Sequence, residues 1–185
     1  MTGFSPVGDG VHVDLVDVAW VLRLYLHDLD HVLGPPKTLP NDPLEALAAS
    51  IDDAPETPSD PVRARLLPDA VLDDPEAAAE FRRFSETTLA ERKRADAAAL
   101  RSVLDEPVVV DGVTARQLLG ALNDLRLMLG TRLAVTESGV LAGAEDLHSY
   151  TSYQLLTMLQ SDLVDVLAGD GPAAEAEEGD DDSAL

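Results

Sequence analysis

The stretch from Asp73 to Leu104, DDPEAAAEFRRFSETTLAERKRADAAALRSVL, constrains the fold most. It opens with a helix-start signal: Asp74 can accept from the free backbone N–H groups of a first turn, and Pro75 lacks the N–H that would have no helical partner there. The pattern predicts a long helix from about Pro75 to Leu104, with a break near Ser85, where SETTL offers a second cap. The same stretch concentrates six of the thirteen basic residues of the chain: Arg82, Arg83, Arg92, Lys93, Arg94 and Arg101. These six stand against a chain that is otherwise overwhelmingly acidic, and with Trp20 and Leu24 they form the expected partner surface. The bland alternative is a solvated helix face with local ion pairs, since Glu86, Glu91 and Asp96 lie between them.

Two further Asp-Pro pairs, Asp42-Pro43 and Asp60-Pro61, read as helix starts in the same way. After the first, Glu45 completes a capping box, and Leu44, Leu47, Ala48 and Ile51 form one apolar stripe. The second helix is short because Pro68 stops VRARLL. Nine of the twelve prolines fall between Pro35 and Pro75, which marks a belt of short helices and connectors, mobile around Asp52–Ser59.

Three more long helices are predicted. One runs from about Asp17 to Leu33 and ends at Gly34-Pro35-Pro36. Another covers about Ala115 to Leu133, with Thr114 as its N-cap. The last spans about Glu145 to Ala168, with Tyr153, Leu156, Leu159, Leu163 and Val166 on one face. Val11–Val13 and Val108–Val110 are β-branched runs, each leading into a helix, and can pair as a minimal two-stranded β-ribbon. VHVDLVDV…HDLDHVLG near the start echoes VVVDGVTA…NDLRLMLG later, as chance similarity between Val/Leu-rich segments or as a repeated strand–helix unit. The expected fold class is therefore mainly α: a single-domain helical bundle of about four long and two or three short helices. Residues 1–10 read as an N-terminal tail, 11–168 as the helical domain and 169–185 as a disordered acidic tail with seven acidic residues and no basic ones.

Charge removes several function classes. Thirty-five acidic against thirteen basic residues give a formal charge of −22, a field that repels nucleic acid and anionic membranes. Direct DNA binding is disfavoured on that ground. No apolar run approaches the roughly 20 residues of a membrane span. The opening MTGFSPVGDG lacks the basic and apolar regions of a signal peptide, so a cytoplasmic location is expected. The chain has no cysteine, which excludes disulfides, thiolate metal sites and thiol redox switching.

Two constellations could carry chemistry. His27 and His31 lie four apart, on one face of the first helix, a spacing that can grip a metal. Asp28 stands where a zinc protease would carry its Glu, and no third ligand is evident. On a helical wheel these histidines share a side with Trp20 and Leu24, opposite the main apolar face. A helix apolar on two sides is central in a fold or contributes to an interface, a homodimer among the options. The second constellation is Arg126, which projects from the stripe of Leu118, Leu119, Leu122, Leu129 and Leu133, while Asp96 interrupts the stripe of Leu89, Leu100, Val103 and Leu104. Opposite charges on facing stripes predict a structural ion pair between Asp96 and Arg126. The alternative is an anion-binding site around Arg126 and Arg132. No nucleophilic triad, nucleotide-binding glycine loop or paired carboxylates stand out, so no catalytic residue and no cofactor is expected.

Four segments together resemble a known family: NDPLEAL at 41–47, LLPDAVLDDPEAAAEFRRFSETTLAERKRADAAAL at 66–100, LNDLRLMLGTRLAV at 122–135 and YQLLTMLQSDLVDVL at 153–167. They are similar to an actinobacterial family of unknown function associated with AosR, an oxidative-stress-sensing regulator. Leu155 and Met158 stand where tryptophans are expected in that family. The resemblance implies a helical, cytoplasmic, non-enzymatic regulatory protein. Its genes usually neighbour that of the proteolytic adaptor ClpS, which implies a protein partner in the transcription or proteolysis machinery. Without cysteine, this chain cannot sense oxidants through a disulfide.

Overall fold

The computed structural model describes residues 2–36, 60–68, 75–135 and 147–169, with backbone alone for 75–84. The predicted helix after Asp42-Pro43, the mobile segment 52–59 and the acidic tail beyond Gly169 lie outside the described residues.

Among these residues the chain is mainly helical, with a small antiparallel sheet. Strands β1 (Gly3–Val7) and β2 (Gly10–Asp14) form a hairpin, and a 3-10 turn at Val16–Val18 leads into α1 (Ala19–Leu33). Then come α2 (Pro61–Leu66), α3 (Pro75–Ser102), β3 (Val108–Val110), α4 (Gly112–Arg132) and α5 (Leu147–Ala168). Asp60 caps α2 as its sequence predicts, its carboxylate accepting from Val62 N at 2.9 Å. Helix α3 runs through Ser85 without a break. The N-cap of α4 is Asp111 rather than Thr114: its carboxylate accepts from Thr114 N at 2.7 Å. Thr114 is the receiving end of the cap because the helix starts three residues earlier than its apolar pattern suggests.

The ribbon predicted between the valine runs is present, with Val11 opposite Val110 and Val13 opposite Val108. It has a third strand. β1 pairs with β2 on the other edge, Phe4 opposite Val13 and Pro6 opposite Val11, so residues 3–7 are part of the domain and not a tail. Pro6 obscures this in the sequence, but β1 is an edge strand, where a residue without an N–H is tolerated. The two-residue turn Gly8-Asp9 closes the hairpin with Gly8 at φ 57°, a value glycine adopts without strain. Phe4, Val11 and Val13 turn inward while Val109 faces out, the alternation expected of a sheet covered on one side. Both echoing segments prove to be strand–helix units, β2–α1 and β3–α4, and their strands pair with each other.

Helix α4 is the centre. It packs against α1, α2, α3, α5 and β2. Ala115, Leu118, Ala121, Leu122, Asp124, Leu125, Met128 and Leu129 are all buried, on a broad half of the helix, and no residue from Gln117 to Thr131 is exposed. So wide a buried face needs several neighbours to cover it. α5 covers one flank through Leu156, Leu159, Leu163 and Val166. It also holds β1: the Asp162 carboxylate accepts from Phe4 N at 2.9 Å.

Phe4 tests the role of β1. Replacing a fully packed Phe by Ala costs roughly 3–5 kcal/mol, so Phe4→Ala should lower the urea midpoint of unfolding by that equivalent. A midpoint unchanged from the native protein would mean that residues 3–7 are a tail after all.

Candidate functional site

The basic residues of α3 are the natural place to begin, because the sequence offers them as a partner surface. Three of them point into the fold instead. Lys93 Nζ donates to Asp124 Oδ1 of α4 at 2.5 Å, and the Asp124 side chain is only 3% exposed. Arg94 reaches the C-terminal end of α1, its Nη2 donating to the carbonyls of Leu33 at 3.0 Å, Gly34 at 3.0 Å and Pro35 at 3.2 Å. These carbonyls carry the negative end of the α1 dipole and have no intrahelical donors, so a guanidinium is a good partner for them. Arg101 donates to Leu26 O at 3.0 Å and to Asp30 Oδ2 at 2.5 Å, one turn further back on α1. Arg92 remains exposed. The side chains of Arg82 and Arg83 lie outside the described residues. Three of the six basic residues expected as a partner surface on α3 thus form a cationic clamp that holds α1 and α4.

The expected pair between Asp96 and Arg126 is not formed. Asp96 does face α4, but at Gly120, where a Cβ would lie 2.8 Å from its Oδ2. Lys93–Asp124 is the ion pair that joins the two helices. Arg126 stands two residues beyond Asp124, some 200° around the helix, so it looks towards α2 and α5. Stripe logic fails here because α4 meets neighbours on more than one side, so its polar residues need not face the helix that the leucine stripe suggests. The sequence reading missed Asp124 for the same reason. The signal available was the apolar ring of Ala121, Leu122, Leu125 and Met128 around it.

The ionisation of this cluster follows from its burial. Burial pushes the Asp124 carboxyl above its ordinary value, while the hydrogen bond and charge of Lys93, and then the charge of Arg92, oppose the rise. Asp96 is also raised, first by burial and then by repulsion from Asp124, against the pull of Arg92 and Lys93. Two carboxylates therefore share the field of two cations. Outside the cluster, the hydrogen bonds from Thr114 hold the capping Asp111 below the ordinary carboxylate value.

With α3 turned inward, the outer face of α1 is the more open surface. Val16, Trp20 and Leu24 follow one another at four-residue spacing, and all three are exposed, Trp20 by 60% and Leu24 by 47%. The Trp20 ring is tilted against that of His148 at the start of α5, with centroids 6.1 Å apart. Leu147 beside it is exposed as well. The ion pairs Arg23–Asp105 and Arg132–Asp28, at 2.6 and 2.7 Å, each tie an α1 side chain to another part of the fold. Arg132 is therefore engaged with Asp28 and does not join Arg126 at an anion site. His27 and His31 meet edge to face at 4.4 Å, and His31 Nδ1 lies 2.8 Å from the His27 carbonyl oxygen. They border an open groove of about 620 Å³ with Asp30, Arg94 and Arg101. Among the described residues no group of three or more His, Cys, Asp or Glu side chains is arranged to hold a metal. Among the same described residues no helix is long and apolar enough to cross a membrane.

A family described as a domain of unknown function, DUF2017, matches residues 1–167. The chain belongs to this family. The DUF2017 match begins with β1 and reaches almost to the end of α5 at Ala168, so it covers both the sheet and the clamp. No curated protein and no solved structure matches the chain.

The Asp96 carboxyl gives a pH test of the DUF2017 core. The folded protein holds this proton more tightly than the unfolded chain, so the ionised carboxylate weighs against folding once pH rises past its folded value. That penalty vanishes below the unfolded value. Asp96→Asn should therefore raise the urea midpoint at neutral pH, with the gain shrinking to nothing as pH falls below the ordinary carboxylate range. A variant less stable than the native protein at neutral pH would show that Asp96 is a net stabilising charge.

Proposed function

We propose that this protein is a non-enzymatic, cytoplasmic regulatory protein that acts by binding another protein through the outer face of α1. The observation that carries this reading is the row of Val16, Trp20 and Leu24. An indole buries a large apolar area when covered, and tryptophans are among the residues most enriched where proteins meet. Here the only tryptophan of the chain is left 60% exposed, with exposed Leu24 one turn on along α1 and exposed Val16 in the 3-10 turn that precedes it.

The resemblance to the AosR-associated family supports a regulatory role, and the ClpS neighbourhood of such genes supports a partner in transcription or protein turnover under stress. The signal cannot be a cysteine oxidation in this chain, which has no cysteine. A DNA target fits poorly: the charge is −22, and Lys93, Arg94 and Arg101 are engaged within the fold. A partner with an apolar groove rimmed by basic residues would complement both the α1 row and the acidic field around it. A second copy of the chain is a poorer occupant, because two bodies of this charge repel.

The test is capture from the cell's own extract with tagged native protein and with the double variant Trp20→Ser, Leu24→Ser. Both side chains are exposed, so circular dichroism and thermal midpoint should be unchanged. The expected outcome is a stoichiometric protein partner with the native chain that the variant loses. Equal capture by both proteins would remove α1 as the docking face. Sedimentation as a dimer that the variant abolishes would replace the partner by a second copy.

A further inference from the structure

Independently of the α1 surface, we infer that the pocket between α2, α4 and α5 is a binding site for a small oxyanion, held by Arg126 and Arg65. The inference begins with the partners of the cations. Arg23, Arg63, Lys93, Arg101 and Arg132 each contact a carboxylate at 2.5–2.8 Å. Arg94 is engaged with backbone carbonyls. Arg92 lies in the field of Asp96 and Asp124, and Arg116 in that of Asp111. In a chain with 35 acidic residues such pairing is easily achieved. Arg65 and Arg126 are the exceptions, with no hydrogen bond or ion pair among the described residues, and both line the same pocket.

Arg126 is the sharper of the two. Its Nε is buried and has no hydrogen-bond partner among the described residues. Buried donors are almost always satisfied in folded proteins, because leaving one unmet forfeits its hydration with no return. The Nε–H and one Nη–H of a guanidinium lie along a common edge, which matches two oxygens of a carboxylate or a phosphate. Arg65, contributed by α2, supplies a second cation at the exposed side of the same cavity.

The walls define the rest of the ligand. Tyr153 of α5 lies against α4 at Gly130, where a Cβ would come within 3.3 Å of its ring. Leu127 and Val135 add apolar wall. The Thr131 hydroxyl already donates to Leu127 O at 2.8 Å and has no proton to offer. The cavity, about 460 Å³, holds a small molecule with room to spare. A guanidinium edge at the base, a second cation at the mouth and an aromatic wall suit a compact oxyanion, alone or carried on a short apolar body. The charges are guanidinium on both sides, so the site selects against cations and neutral sugars.

Thermal midpoints of the full chain, titrated with inorganic phosphate and separately with benzoate, test this. Ionic strength is held constant with chloride, so general salt effects are common to all arms. A saturable rise in midpoint with either anion is expected, and the stronger of the two distinguishes phosphate from carboxylate. Arg126→Met should abolish the rise, and Arg65→Met, at an exposed position that the fold does not need, should weaken binding roughly tenfold or more. Arg116→Met should bind as the native protein does. Absence of saturable binding by both anions would overturn the inference, as would native-like binding by Arg65→Met and Arg126→Met.

Discussion

The ion pair between Lys93 and Asp124 sets how the long helix α3 meets the central helix α4. Both groups are almost removed from solvent, with side-chain exposures of 12% and 3%. A buried pair of this kind need not stabilise the fold more than two well-packed apolar side chains would, because both charges are desolvated. What it does is fix a register, since any sliding of α3 along α4 would strand a charge. Gly120 works to the same end, letting Asp96 approach the backbone of α4 where a side chain would stand in its way. The same segment of α3 also grips α1 through Arg94 and Arg101. One stretch of some ten residues thereby orders three helices.

This has a consequence for how the surface is read. A cluster of cations in an acidic chain invites interpretation as a docking patch. Here the chain's acidic excess works differently: carboxylates and helix-end carbonyls inside the fold take up the cations, and the outside is left strongly negative. In our proposals the partner surface falls to apolar groups on α1, while Arg65 and Arg126, which have no hydrogen bond or ion pair among the described residues, form a ligand site.

Much of the fold was legible from local signals. Asp60-Pro61 gave a helix start because cap and proline act within one turn, and Val11–Val13 could be matched to Val108–Val110 because two β-branched runs each preceded a helix. Less legible were features set by tertiary enclosure. β1 is hidden by Pro6 and by two glycines, and only its edge position makes it a strand. Asp96 and Arg126 were paired in the sequence reading because each interrupts a leucine stripe. That argument assumes one buried face per helix, which α4 does not have. His27 and His31 share a face as their spacing requires. Trp20 and Leu24 were recognisable as a second apolar side of α1, but whether that side lies inside or outside could be settled only by where α3 and α4 sit.

The account rests on α3 acting as a clamp, and a double-mutant cycle at Lys93 and Asp124 tests that most directly. Urea unfolding would be followed for Lys93→Met, Asp124→Leu and the combination. Each single change should cost roughly 3–5 kcal/mol, because it leaves the other charge buried and unpaired. The double variant should cost far less than their sum, giving a coupling energy of at least about 2 kcal/mol. Single effects that are small and simply add would contradict the account, for Lys93 would then be a surface residue and the basic stretch of α3 would be free to meet a partner.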